Sequence, residues 1–385
     1  MKILHTSDWH VGKTIRGNSR AGEHESVLDE IVALVAEHSV DLVVVVGDLF
    51  DTASPTAESE HLVYRALLGM HEAGAQVAVV AGNHDNPLRL AAVAPVLGAL
   101  AVHVVSQVVR PTDGGVVELE LRSGEMVRLA LVPFLSQRSI IKVDDLMSGD
   151  VTGQLQKYAD RYRKIVTALC APLVGDMVNV VVAHAFIERA LSGGGERVAH
   201  MGGDYAIAAS VFPAHVHYVA LGHLHRAQRL EGATQIHYCG SPLQLDFGEV
   251  EQRKQVNLVE AEVGRAAKVT ALPLSAGRQL RVIRGTLDDV REVAPELTDT
   301  WVRVELREPA RAGLADDVRE LVPTAVDVVT VGSRPAGVTP NRVSRSGKTP
   351  QELFATYCAE REYADERVQK LFAELLEESG ATSTD

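Results

Sequence analysis

Apolar residues follow two rhythms over the first hundred positions. Residues 2–6 (KILHT), 41–46 (DLVVVV) and 76–80 (QVAVV) are short runs suited to buried strands. Between them, Val27, Ile31, Leu34 and Val35 recur at helical spacing within residues 23–38, and a second helix is predicted over residues 56–73. The order βαβαβ predicts a parallel sheet, because parallel neighbours need a crossover and a helix is the usual one. Past Ala101 the rhythm changes. AVHVV, VVELEL and VRLALV predict strands, a helical stretch follows around residues 144–170, and VNVVVAH, HYVALGH, TQIHYCG and QVNLVEAEV predict further strands. That is too many strands for one small sheet, so an α/β core of two packed sheets with outer helices is expected over residues 1–277.

From Arg278 the pattern restarts. RQLRVIRG, DDVREVAPEL, TWVRVEL, GLADDVRELV and AVDVVTVG read β, α, β, α, β, the size of a small α/β cap over residues 278–333. Residues 334–348 (RPAGVTPNRVSRSGK) have the composition of a linker. TPQE at 349–352 then signals a helix start, with Thr at the cap, Pro at the first position and Glu three residues on. Leu353, Phe354, Tyr357 and Cys358, then Val368, Leu371, Phe372, Leu375 and Leu376, repeat at helical spacing up to residue 378. Such a stripe beyond a linker suits docking on a partner as well as packing on a core. Residues 379–385 read as a disordered tail.

Composition narrows the field without choosing a function. With 385 residues, 46% hydrophobic and 23% charged, the chain is long enough for two or three domains with real cores, and global disorder is not expected. Cys170, Cys239 and Cys358 lie far apart with no CxxC pair, which argues against a disulfide framework or thiolate metal site and for a reducing, cytoplasmic setting. No membrane segment is expected, since the most apolar long stretch, residues 90–102, carries Pro95 and Gly98 and is too short to span. A net charge of −13 opposes a broad electrostatic hold on nucleic acid unless cations supply positive charge at the chemical step. GKT at 12–14 and 347–349 does not make a P-loop, because the required earlier glycine is Ser7 or Arg342. Any use of ATP falls to a partner.

The chemistry lies where strands end. KILHT leads to Asp8 and His10, DLVVVV to Gly47, Asp48 and Asp51, and QVAVV to Gly82, Asn83, His84 and Asp85. VNVVVA leads to His184, and YVAL to Gly222, His223 and His225. Loops at the carboxyl ends of parallel strands converge on one crevice, so these imidazoles, carboxylates and an amide are expected to meet. They form a nitrogen and oxygen donor set suited to Mn²⁺, Fe or Zn²⁺, and larger than one ion needs. Paired metals sharing a carboxylate are standard machinery for attack on phosphorus. His215, His217 and His237 lack a matching strand-end position and are read as structural.

DWH (8–10), GDLFD (47–51), GNHD (82–85), AHAF (183–186), GHLH (222–225) and YCGSPLQLDFGE (238–249) together resemble the calcineurin-like metallophosphoesterases. LHTSDWHVGK, YVALGHLHRAQ and the GSP segment resemble the branch of bacterial SbcD nuclease subunits in particular, over nearly the whole chain. The resemblance implies a two-sheet core with flanking helices, two Mn²⁺ ions, a cap, and C-terminal helices that bind the coiled-coil base of an SMC-like ATPase. It implies DNA ends and hairpins as substrate, and a homodimer within a heterotetramer. Carried over by position, Asp8, His10, Asp48 and His225 would hold one ion, and Asp48, Asn83, His184 and His223 the other, with Asp48 as the bridge. His84 would contact the scissile phosphate and aid the leaving oxygen, with Asp85 orienting its ring. Archaeal and eukaryotic relatives have His where this chain has Asp51, so the part of Asp51 stays open. Two rival readings also stay open: a phosphoesterase acting on another substrate, and a scaffold of this fold without catalysis.

Overall fold

The computed structural model describes residues 1–136, 139–140, 158–196 and 205–330, together with Phe354, Cys358, Val368 and Phe372. The first third of the chain runs β1 (Lys2–Thr6), the short hairpin β2 (Thr14–Ile15) and β3 (Asn18–Ser19), α1 (Ala21–Glu37), β4 (Leu42–Val46), α2 (Ala57–Glu72), β5 (Gln76–Val80), α3 (Pro87–Gly98), β6 (Val102–Val105), β7 (Val116–Glu120) and β8 (Met126–Val132). It continues with α4 (Tyr158–Cys170), β9 (Val178–His184), β10 (Tyr218–Gly222), β11 (Gln228–Leu230), β12 (Gln235–Tyr238), β13 (Gln255–Glu260) and β14 (Lys268–Pro273).

Two six-stranded sheets form the core. One has the order β14-β13-β1-β4-β5-β6, and the other β11-β12-β10-β9-β8-β7. β1, β4, β5 and β6 are mutually parallel, as the βαβαβ pattern requires. β4 explains why its sequence is an unbroken apolar run. Val43 and Val45 face the cluster built with α1 and α2, while Leu42, Val44 and Val46 face the second sheet through Val180 and Val182 of β9, so both faces are covered. The outer face of the second sheet is covered by α4 through Tyr162, Ile165, Val166 and Leu169.

A third, parallel sheet of β15 (Gln279–Gly285), β16 (Thr300–Leu306) and β17 (Ala325–Thr330) carries α5 (Leu287–Val293) and α6 (Leu314–Leu321). Val290, Val302, Val304 and Val318 form its own core. It seats on the rest of Met1–Val331 through Ile15, Phe247 and Leu280, with Trp301 Nε1 donating to Glu23 Oε1 at 2.7 Å and Arg16 pairing with Asp327 at 2.8 Å. Gly332–Asp385 forms a separate compact unit. Its four described residues are helical, and the Phe354 and Phe372 rings stack with centroids 4.0 Å apart.

Five elements differ from the sequence expectation, among them the two-residue strands β2 and β3, too short to give an apolar run. α3 was not anticipated because only Leu90 and Leu97 are buried along it; Asn86 caps it by accepting from Leu88 N and Arg89 N at 3.0 and 3.2 Å, and Pro87 opens it. β11 and β14 were missed because their partly exposed residues give no apolar run. The expected helix over 144–170 is described from Tyr158 onward. The linker at 334–348, the TPQE cap, Leu353, Tyr357, Leu371, Leu375, Leu376 and the tail at 379–385 lie outside the described residues. Among the described residues no helix is long and apolar enough to cross a membrane.

Candidate metal centre

Backbone N–H groups interlock the loops after β1, β4, β5 and β10. Asp8 N donates to Gly47 O at 3.0 Å, His10 N to Asp48 O at 2.9 Å, His84 N to Asp48 Oδ1 at 2.8 Å and His223 N to Asp8 Oδ1 at 2.9 Å. This framework holds Asp8, His10, Asp48 and His223 at φ of 54°, 47°, 52° and 106°, a region that side-chain-bearing residues seldom occupy. Such strain, about 1–3 kcal/mol per residue, persists only where surroundings impose it and concentrates at functional sites. Two glycines are needed for close approach. A Cβ on Gly82 would run into the Asp48 carboxylate, and one on Gly222 into the Val46 carbonyl.

The donors gather in two groups, Asp8 with His10 and His225, and Asp48 with His184 and His223, linked by a third of His10, Asp48 and His84, each set of ligand atoms lying within 4.8 Å of one another. Asp48 Oδ2 lies 3.5 Å from His10 Nε2 and 3.5 Å from His184 Nε2, between the two groups. Asn83 Oδ1 lies 3.0 Å from His184 Nε2 and 2.7 Å from His223 Nδ1, and His225 Nε2 lies 3.1 Å from His10 Nε2. His184 Nδ1 sits 2.8 Å from the Val46 carbonyl, which can only accept, so in the neutral ring it is Nε2 that carries the lone pair facing the site. Buried imidazole nitrogens and carboxyl and amide oxygens converging in this way fit divalent cations of nitrogen and oxygen preference.

Without cations, protons and ion pairs hold the cluster. Burial raises Asp8 to about 6, against the opposing pull of His184 and His225. Burial also pushes Asp48 up, but His184 and His10 outweigh it and keep Asp48 ionised below the usual carboxylate range. Burial would lower His184, yet Asp48 raises it to about 9. His10 goes the other way, lowered to about 4 by burial despite Asp51 and Asp48. Burial and Asp48 raise Asp85 to about 7.

His84 lies beside both groups, its ring edge-on to His10 with centroids 4.5 Å apart. Where Asp85 is expected to orient the ring, the Asp51 carbonyl lies 2.7 Å from His84 Nδ1. Asp85 accepts from Gly82 N, Phe50 N and Leu49 N at 2.8, 3.1 and 3.3 Å, so it ties the β4 and β5 loops together. The Asp51 side chain lies 3.5 Å from His10 Nδ1 and 3.1 Å from Lys13 Nζ. Against the upward push of burial, those two groups hold its carboxyl below the usual range. His217 Nδ1 accepts from Asn179 N at 3.0 Å and His237 sits on β12, both outside the cluster. Glu196, Glu249 and Lys254 border His225 and were not singled out from sequence, although Glu249 ends the quoted YCGSPLQLDFGE motif.

Strand-end His, Asp and Asn donors on two packed sheets define a calcineurin-like phosphoesterase, and the family model of that description matches residues 1–227. A second model, described as Type 5 capsule protein repressor C-terminal domain, matches residues 276–362. The SbcD component of nuclease SbcCD from Bacillus subtilis (strain 168) is 34% identical over 317 residues, covering 80% of this chain and 79% of that protein. Its counterpart in Rhodobacter capsulatus is 30% identical, covering 92% and 94%, and that of Escherichia coli (strain K12) is 32% identical, covering 80% and 78%. The chain belongs to the SbcD family of calcineurin-like phosphoesterases.

Proposed function

We propose that this chain is the metal-dependent DNA nuclease of an SbcCD-type complex, a double-strand exonuclease and single-strand or hairpin endonuclease acting in DNA repair, recombination and replication. The observation that carries the reading is the Asp48 carboxylate oxygen held 3.5 Å from an imidazole nitrogen of each donor group, the placement a shared ligand needs. Asp8, His10, Asp48 and His225 would hold one cation and Asp48, Asn83, His184 and His223 the other, both Mn²⁺. When bound, the pair supplies Lewis-acid stabilisation of phosphoryl oxygens and a nucleophilic water at neutral pH.

The chain's own residues do the rest. With Nδ1–H donated to the Asp51 carbonyl, His84 exchanges protons at Nε2, and the imidazolium delivers one to the departing oxygen. Asp85 fixes the two loops that carry Asp48 and His84. Cationic charge at the centre offsets, at the point of reaction, the repulsion that a net charge of −13 presents to DNA.

An SbcC-type SMC-like ATPase is the proposed partner. The separate unit Gly332–Asp385, with stacked Phe354 and Phe372, supports a docking role for the C-terminal helices. A homodimer within the heterotetramer is supported by α3, which leaves the apolar Leu88 and Val96 67% and 68% exposed. The reading carries with it a cytoplasmic, nucleoid-associated location, in keeping with three free cysteines.

The test is cleavage of linear duplex and hairpin DNA with Mn²⁺, with and without the partner and ATP. Metal-dependent cleavage, extended by partner and ATP, is expected. Hydrolysis of phosphomonoesters or cyclic nucleotides with DNA left intact would contradict the reading.

A further inference from the structure

Glu249 is fully buried and ends the short turn Phe247–Glu249, outside the proposed ligand set. Its Oε1 lies 2.9 Å from His225 Nδ1, and its Oε2 accepts from Lys254 Nζ at 2.7 Å and Leu245 N at 3.1 Å. The same ammonium donates to the His225 carbonyl at 3.0 Å, to Ser241 Oγ at 2.9 Å and to Gln252 Oε1 at 3.0 Å. Lys254 therefore grips both the carboxylate and the backbone of one histidine. Residues 193–195, all glycine, close over this pair: a Cβ on Gly195 would lie 2.9 Å from Glu249 Oε1 and 3.1 Å from His225 Nδ1, and one on Gly193 only 2.8 Å from His225 Cβ. The Glu196 carboxylate clamps that loop, accepting from Gly194 N at 2.8 Å and His225 N at 3.0 Å.

His184 offers the contrast, since its far ring nitrogen rests on the neutral Val46 carbonyl. A buried carboxylate fixes an imidazole's tautomer and raises its basicity as a ligand more than a carbonyl does.

We propose that Glu249, with Lys254 as its counter-charge, is the positioning residue of the cation site formed by Asp8, His10 and His225, so that the two cation sites are built unequal. This rests on the metal reading above. Glu249 turns His225 Nε2 toward His10 Nε2, 3.1 Å away, and the glycine loop keeps water from competing for Nδ1.

The experiment titrates Mn²⁺ into the metal-free full chain by calorimetry, for the wild type, Glu249→Gln, Glu249→Asp and Asn83→Ala, with thermal melts of each metal-free protein. Glu249→Gln should weaken one site by about 10–100-fold, the range for lost partners of a metal-bound histidine, and leave the other within about twofold. Glu249→Asp should restore part of that loss, and Asn83→Ala should weaken the other site. A folded Glu249→Gln protein with both sites at wild-type affinity, or with both weakened alike, overturns the proposal. Should that variant fail to fold, the ¹⁵N spectrum of the wild-type histidines decides, because metal-free His225 must carry its proton on Nδ1 and a proton on Nε2 alone overturns it. A wild type that binds two ions without cutting DNA would sink the nuclease reading and leave this one standing. One that binds no cation would sink both.

Discussion

His84 separates chemistry from metal binding more cleanly than any other side chain at the centre. Its ring is held by the Asp51 carbonyl, and its backbone N–H donates to the shared carboxylate. His84→Ala should therefore keep both ions, counted by elemental analysis, and lose about a hundredfold in turnover. Loss of an ion would move His84 into the ligand set. Away from the centre, His24 sets a pH limit on stability. Burial, with Arg20 adding, lowers it to about 4, and its Nε2 is buried with no acceptor among the described residues. The unfolded chain takes up that proton first, near the ordinary pKa of about 6.5, so the stabilisation is full above that pH and is lost as pH falls toward 4, at about 1.4 kcal/mol per unit. In metal-free protein, His24→Leu should flatten the fall of the urea midpoint across that window, and an unchanged slope would contradict this. The convergence of Asp8, His10, Asp48, Asn83, His184, His223 and His225 was legible because each follows an apolar run. The Asp51 carbonyl at His84 was not, since a backbone acceptor carries no sequence signature.

Among the elements, α2 and α3 show what periodicity conveys and what it misses. α2 buries Leu62, Val63, Ala66, Leu67 and Met70 along one stripe, and Thr56 caps it by accepting from Ser59 N at 3.2 Å. Thr56→Ala should cost about 1 kcal/mol in a denaturant titration. α3 buries two residues and exposes Leu88 and Val96, so its sequence reads as apolar without reading as a helix. If that face meets a second copy, Leu88→Glu with Val96→Glu should turn a dimer into a folded monomer by light scattering. A double variant that remains dimeric, or a wild type that is monomeric without it, would refute that use of the face. β11 and β14 were illegible for the opposite reason, since half-exposed edge strands have neither an apolar run nor a clean alternation.

At the scale of the molecule, the turn that carries Glu249 joins the sheet of β15–β17 to the centre. Gln244 Oε1 accepts from Leu280 N at 2.7 Å, and its Nε2 donates to the carbonyls of Glu249, Val250 and Gln252, each at 3.1 Å. The C-terminal unit is distinct, which bears on its use. Truncation after Lys348 should leave a folded, metal-binding chain that cuts simple substrates yet no longer co-purifies with the ATPase partner; an unfolded product, or unimpaired partner binding, would contradict the docking role. Whether Asp48 joins two cations is read by electron paramagnetic resonance of the full chain titrated with Mn²⁺. Two bound ions per chain with the signature of a spin-coupled pair, lost in Asp48→Ala, are expected. A single ion, two uncoupled ions, or a coupled pair that survives Asp48→Ala would contradict a bridging Asp48.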